Sequence, residues 1–376
     1  MTAAAQDLTP DKLRDELRSR GDKAPLIERM RKWFGKEFAT GPDSKSQGLD
    51  VAWAIEAVGA NKVEVKTDDG KSFTLKRVGK TDVFALVQAL QDGDGFHWHF
   101  EVDGKTTGPE RNLEVYTPDP YSIRLPDVPK GTVTQMPKWE SKIYEGTTRD
   151  WWIYVPAQYK PENPACLMVF QDGQWPKDYA PPVLDNLIAR GEMPVTVCVF
   201  ISPGVFADNK PNRSIEYDTL SDKYVRYLLE EIVPEVEKKV NLRQDAASWG
   251  IAGISSGGIC SFTAAWNRPD KFSKVLSWVG SFANIAGGAT GIEGGHNYPA
   301  LIRRNDRKPI RVFLQDGTHD VNNQFGDWWI CNLAMESALK YKEYDYKFVG
   351  GKGFHSDKHG RAIFSEALKW LWRDVR

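Results

Sequence analysis

The run Gly253-Ile254-Ser255-Ser256-Gly257-Gly258 sets a serine two residues from a glycine on either side. An apolar stretch (248–252) precedes it and a run of small residues (256–266) follows. G-x-S-x-G between a strand and a helix is the pattern of a nucleophile elbow. There a sharp turn lifts the serine hydroxyl to the carboxyl edge of a sheet, and the glycines allow a backbone approach that side chains would block. The chemistry open to such a serine is attack on an acyl carbonyl. Ser256 lacks the glycine spacing, and its backbone N–H at the helix start is the expected oxyanion donor.

A serine nucleophile needs a base and an acid to orient that base, and after an elbow the order along the chain is Ser, then Asp or Glu, then His. His296, His319, His355 and His359 follow Ser255. His355 stands in Gly350-Gly351-Lys352-Gly353-Phe354-His355, read as a glycine-rich loop between a strand (344–349) and the last helix (362–373), and is the expected base. A His355/His359 metal pair lacks an acidic third ligand at a clear spacing, so no metal is expected. The acid should follow the strand 311–314, where Gln315-Asp316-Gly317-Thr318-His319-Asp320 offers two carboxyls. Asp320, read as lying past a glycine turn, is favoured over Asp316.

The second oxyanion donor should come from the loop Gln171-Asp172-Gly173-Gln174-Trp175, with the Gln174 N–H as candidate. Trp175, Trp328 and Trp329 flank the oxyanion and acid loops as a candidate aromatic wall. Arg213, in Arg213-Ser214-Ile215-Glu216-Tyr217-Asp218, reads either as half of a structural pair with Glu216 or as a substrate clamp.

Around these residues the periodicity changes twice. Residues 1–46 read as a helical segment, with Thr9 as cap, Pro10 at the first position, and Leu26, Ile27, Met30, Trp33 and Phe34 at helical spacing; 41–48 read as a polar linker. Residues 47–126 read as a β-sandwich of short strands, including the alternating run Phe96 to Val102 closed by Asp103-Gly104. His97 and His99 share one face there and read as ordinary strand residues. From 127 to 376 strands alternate with helices, among them 221–239 with Tyr224, Leu228, Ile232 and Val236 on one face. That alternation predicts an α/β class with a mostly parallel sheet.

The 376 residues carry 50 Lys+Arg against 51 Asp+Glu, a balance that argues against a nucleic-acid or anionic-membrane partner and leaves room for a local basic patch. No apolar stretch reaches 18 residues, so no membrane span is expected. The first residues lack a basic region followed by an apolar one, which suits a cytoplasmic chain or a mature chain freed of its leader. Cys166, Cys198, Cys260 and Cys331 form no C-x-x-C pair and read as buried free thiols. The 14 Trp suit a large core, and secondarily a groove that stacks on sugar or phenolic rings.

Over residues 135–376 the chain resembles the enterochelin esterase/esterase D group, which includes feruloyl and acetyl-xylan esterases. The resemblance rests on Phe170-Gln171-Asp172-Gly173-Gln174, Arg213-Ser214-Ile215-Glu216-Tyr217, Ala252 to Gly258, Asp316-Gly317-Thr318-His319-Asp320 and the His355 segment. Lys352-Gly353-Phe354 before His355 departs from a simpler Gly-Gly-His. The stretch ending in Val102-Asp103-Gly104-Lys105 resembles immunoglobulin-like early-set domains. The resemblance implies an α/β-hydrolase fold, with nucleophile Ser255, acid Asp320, base His355 and no cofactor. It implies a small-molecule or polysaccharide-linked ester as substrate, a feruloyl or acetyl ester first. A siderophore trilactone is the alternative, and would call on Arg213, Arg303 and Arg304 as a basic wall. An inactive glycan-binding homologue is the non-enzyme alternative.

Overall fold

The computed structural model describes residues 8–286 and 294–375. They form two compact units: one runs through Pro118 and includes Lys352–Phe354, and the other comprises Asp119–Gly351 with His355 onward. The helical segment and the β-strands before residue 118 therefore share one unit, and its boundary falls short of residue 126.

In the first unit, two four-stranded antiparallel sheets face each other. Strand Asp50–Glu56 shows how alternation divides the interior. Val51, Trp53 and Ile55 join Val63, Val65, Phe96, Trp98 and Phe100 between the sheets. Ala52 and Ala54 point the other way, and their small side chains let Leu13, Ile27, Met30 and Phe34 of helices Pro10–Arg18 and Ala24–Phe34 lie against that face. The Thr9 hydroxyl caps the first helix, accepting from Lys12 N at 3.3 Å. The stretch 41–48, expected as a linker, contains a strand, Lys45–Gln47, paired with Asp50–Ala52 through a turn at Gly48, φ 56°. Its polar sequence suits an exposed edge, where alternation gives no signal.

The second unit is built on one eight-stranded sheet. Its strands in chain order are β1 (Thr132–Gln135), β2 (Trp151–Val155), β3 (Cys166–Gln171), β4 (Thr196–Ile201), β5 (Trp249–Ile254), β6 (Lys274–Trp278), β7 (Arg311–His319) and β8 (Asp345–Phe354), in the spatial order β8-β7-β6-β5-β3-β4-β2-β1. The pairs β4–β3, β3–β5, β5–β6 and β6–β7 are parallel, whereas β2 runs antiparallel to β4 and β1. β3 is buried along its whole length, as a strand covered on both faces must be. Leu167 and Val169 meet helices Ser256–Asn267 and Trp328–Tyr341 on one side. Cys166, Met168 and Phe170 meet Pro176–Ala189 and Phe364–Trp372 on the other. This is the α/β-hydrolase fold.

Three elements differ from their sequence reading. Residues expected as one helix over 221–239 are helical at Lys223–Tyr227 and Val233–Glu237, with a π-helical turn, Leu228–Ile232, between them. Pro234 has no N–H to give, and Val233 N reaches back five residues to Leu228 O. β7, expected over 311–314, continues through Gly317 to His319, so Asp316 lies within the strand, and Asp320 follows at a turn that its N closes on Gly317 O at 3.1 Å. β8 likewise runs through Gly350, Gly351 and Gly353, so His355 follows directly on a strand and not a glycine-rich loop.

Candidate active site

β5 ends at Ser255, whose φ of 59° and ψ of −125° lie where non-glycine residues are rare and strained. The turn is held from both sides. Ser255 N donates to Trp278 O at 2.9 Å, and Gly258 N donates to Ser255 O at 2.9 Å. A Cβ on Gly253 would sit 2.1 Å from Gly257 O, so only glycine permits the chain to double back there. Helix Ser256–Asn267 starts at the next residue, and the first N–H groups of a helix have no intrahelical acceptor, which leaves the Ser256 N–H for a ligand.

His355 Nε2 lies 2.8 Å from Ser255 Oγ, and His355 Nδ1 lies 2.5 Å from Asp320 Oδ1. The Asp320 side chain is fully buried and the imidazole 28% exposed, so the acid is shielded while the base can meet substrate. Asp316 is also buried, with Oδ1 accepting from Gly317 N at 2.7 Å. Oδ2 of Asp316 and Oδ2 of Asp320 are both buried and meet no N–H or hydroxyl donor, whereas one proton shared between the carboxyls satisfies both. Burial, together with the Asp320 carboxylate, pushes the Asp316 carboxyl up to about 10. The geometry thus places Asp320 on the imidazole and Asp316 behind it.

After β3 the chain turns at Asp172, φ 51°, and Gly173 N donates to Ile201 O at 2.9 Å. A Cβ on Gly173 would lie 2.2 Å from Ile201 N. This contact fixes the loop that presents Gln174, whose side-chain Oε1 accepts from Ser202 Oγ at 2.8 Å. Asp172 is gripped by Arg213, whose Nε and Nη2 each lie 2.8 Å from one carboxylate oxygen. The expected pair of Arg213 with Glu216 is corrected. Glu216 instead meets Arg149 at 2.6 Å, both side chains being fully buried. Nearby, burial raises the Asp218 carboxyl to about 6.

Of the aromatic candidates, Trp175 is 59% exposed beside the oxyanion loop. Trp328 is buried, not a free wall; its Nε1 donates to Ser281 Oγ at 3.0 Å and its ring meets His355 edge-on. Trp329 lies against Phe348. Arg303 bonds Ser337, nine residues or about 13 Å along the helix from Trp328, which takes it away from the relay. Sequence reasoning missed Ser281, whose Oγ is 3.2 Å from Ser255 Oγ. Its one signal is a small polar residue just past β6, the neighbour of the elbow strand. Among the described residues no group of three or more His, Cys, Asp or Glu could hold a metal ion, and no helix is long and apolar enough to cross a membrane. His97 Nδ1 meets Asn112 Oδ1 at 2.9 Å. The four thiols are unpaired; Cys331 is only half-buried.

A family model described as "Putative esterase" matches residues 144–370, more than half of the chain. The chain belongs to the esterase family. It is 24% identical over 267 residues to an endo-1,4-beta-xylanase/feruloyl esterase of Xylanibacter ruminicola, covering 63% of this chain and 35% of the relative. It is 27% identical over 161 residues to the iron(III) enterobactin esterase of Escherichia coli K12, covering 42% and 38%. The matched regions span about a third of the length of these curated relatives. Among solved structures, the ferric enterobactin esterase of Salmonella typhimurium superposes with a TM-score of 0.63 at 20% identity, over 92% of this chain and 99% of that one.

Proposed function

We propose that this esterase-family chain hydrolyses carboxylic esters through an acyl-enzyme on Ser255. The observation that carries the reading is the row Ser255 Oγ, His355 Nε2, His355 Nδ1, Asp320 Oδ1, with contacts of 2.8 and 2.5 Å at its two ends. Asp320 fixes the tautomer that leaves Nε2 free to take the serine proton. Ser255 Oγ then bonds to the carbonyl carbon, and the N–H groups of Ser256 and Gln174 hold the oxyanion. The imidazolium hands its proton to the departing alcohol, and water, deprotonated by the same imidazole, releases the acid.

A feruloyl or acetyl ester of a plant polysaccharide is the preferred substrate. The exposed Trp175 indole beside the oxyanion loop offers a flat apolar face to a phenolic ring. The feruloyl esterase relative supports the same acyl class. A siderophore trilactone is the second reading, favoured by the alignment of an enterobactin esterase over nine-tenths of this chain. Against it, two of the arginines offered for a basic wall are otherwise engaged: Arg213 by Asp172 and Arg303 by Ser337.

The test is hydrolysis of p-nitrophenyl acetate, methyl ferulate and a catecholate trilactone by the wild type and Ser255→Ala. The expected result is turnover of methyl ferulate by the wild type and a loss on the order of 10⁴-fold or more in the variant. Retention of the wild-type rate by Ser255→Ala would sink the assignment. Preference for the trilactone would move the second reading ahead.

A further inference from the structure

Beside the three side chains of the relay stands a fourth polar group that this mechanism leaves unused. Ser281 is 1% exposed. Its N donates to Ser255 O at 3.0 Å, and its Oγ lies 3.2 Å from Ser255 Oγ and 3.0 Å from Trp328 Nε1. An indole N–H only donates, so Ser281 Oγ accepts there. The one proton of the Ser255 hydroxyl is committed to His355 Nε2, because Nδ1 keeps its hydrogen for Asp320. The contact between the two serine oxygens must therefore take its hydrogen from Ser281. Every bond in the row then has one direction: Trp328 to Ser281, Ser281 to Ser255, Ser255 to His355, His355 to Asp320.

We propose that Ser281 is a catalytic residue that donates a hydrogen bond to Ser255 Oγ, and that Trp328 is the positioning residue that fixes its direction; this rests on the acyl-enzyme reading above. When the serine attacks, its proton passes to His355 and its oxygen becomes the ester oxygen of the acyl-enzyme. In the second step a water oxygen bonds to the acyl carbon and its proton passes to His355. The bond from carbon to Ser255 Oγ then breaks, and Oγ recovers a proton from the imidazolium. Negative charge gathers on Oγ as that bond breaks, and the Ser281 hydroxyl is in place to meet it. No proton leaves Ser281 at any stage. A hydrogen bond to a charged oxygen is stronger than one to a neutral oxygen, so this contact favours the transition state of deacylation over its ground state.

Burst kinetics with p-nitrophenyl acetate separate the two steps. Ser281→Ala is expected to slow the steady phase after the burst by about 10-fold or more, to keep a burst near one equivalent per site, and to lower KM along with kcat. A merely structural role would instead shrink the burst. Trp328→Phe keeps a ring against His355 and loses the N–H. It is expected to slow deacylation less than Ser281→Ala does, and to add nothing in the double variant, since Trp328 acts through Ser281. Deacylation by Ser281→Ala within about twofold of wild type overturns the proposal, as does multiplication of the two effects in the double variant. If Ser281→Ala melts well below the wild type, Trp328→Phe alone decides: slowed deacylation with a full burst supports the role, and an unchanged rate overturns it. Failure of the underlying reading looks different, because the wild type would then give no burst and Ser255→Ala would keep its rate.

Discussion

Burial holds the Asp316 carboxyl neutral at pH values where an exposed carboxyl is ionised, and its proton serves the otherwise unmatched oxygen of Asp320. The consequence for stability has a definite sign. The folded state keeps a proton that the unfolded chain releases above a pH of about 4. This contribution is therefore full below that pH and lost as pH rises through the folded value of about 10. Urea midpoints of the wild type should fall between pH 5 and pH 8.5 more steeply than those of Asp316→Asn, whose amide does not titrate; parallel slopes would show that Asp316 is ionised in the fold. The Asn amide can still donate to Asp320, so kcat/KM should stay within about threefold, whereas Asp316→Leu leaves Asp320 Oδ2 unmet and should lose about 10-fold. Residues at this scale were unequally legible. Ser255 and His355 announce themselves by glycine spacing and chain order. Asp320 is separated from Asp316 by the turn that its own N closes on Gly317 O at 3.1 Å, while Asp316 stays inside the strand. Ser281 was invisible because its partners come from Ser255 and Trp328, 26 and 47 residues away.

At the scale of elements, the sheet's carboxyl edge is assembled by places where a side chain would not fit. Gly173 is the clearest: an added Cβ would meet backbone atoms of Phe200 and Ile201 at 2.3 and 2.2 Å, and backbone cannot step aside as a rotamer can. Gly173→Ala should therefore shift the loop and withdraw the Gln174 N–H. The expected loss is on the order of 10²-fold in kcat, read by steady-state kinetics on methyl ferulate, with a far-ultraviolet circular dichroism spectrum like that of the wild type. Wild-type kcat in that variant would remove Gln174 from the oxyanion site. The central parallel strands were readable because covered strands are continuous apolar runs, as β3 and β4 are. What periodicity could not convey was extent. β7 and β8 continue past their apolar portions into glycine and polar residues, whose strand character comes from their neighbours and not from propensity. The π-turn before Pro234 escaped for a related reason, since widening a helix by one residue leaves its apolar face almost intact.

For the whole molecule, the change from alternating to mixed periodicity, read at 126–127, lies a few residues past Pro118, where the main run of the first compact unit ends. The helical preface covers a sheet face in which Ala52, Ala54 and Ala85 stand beside Val78 and Val83, and alanines carry little pattern. The thiols belong to this scale too. Cys166 on β3, Cys198 on β4 and Cys260 on the elbow helix are buried, Cys331 is half-buried, and burial raises the pKa of all four. Under native conditions a disulfide reagent should titrate about one thiol, slowly, and all four in denaturant; rapid native reaction of two or more would contradict the burial. Since every cysteine lies after residue 118, the chain carries a chemical clock on one unit and none on the other. Thiol labelling would time the opening of the catalytic sheet, while tryptophan emission, with Trp53 and Trp98 in the sandwich, would register both units together. Comparing the two signals through a single denaturant titration would reveal whether the units unfold in one event or two, with no residue changed.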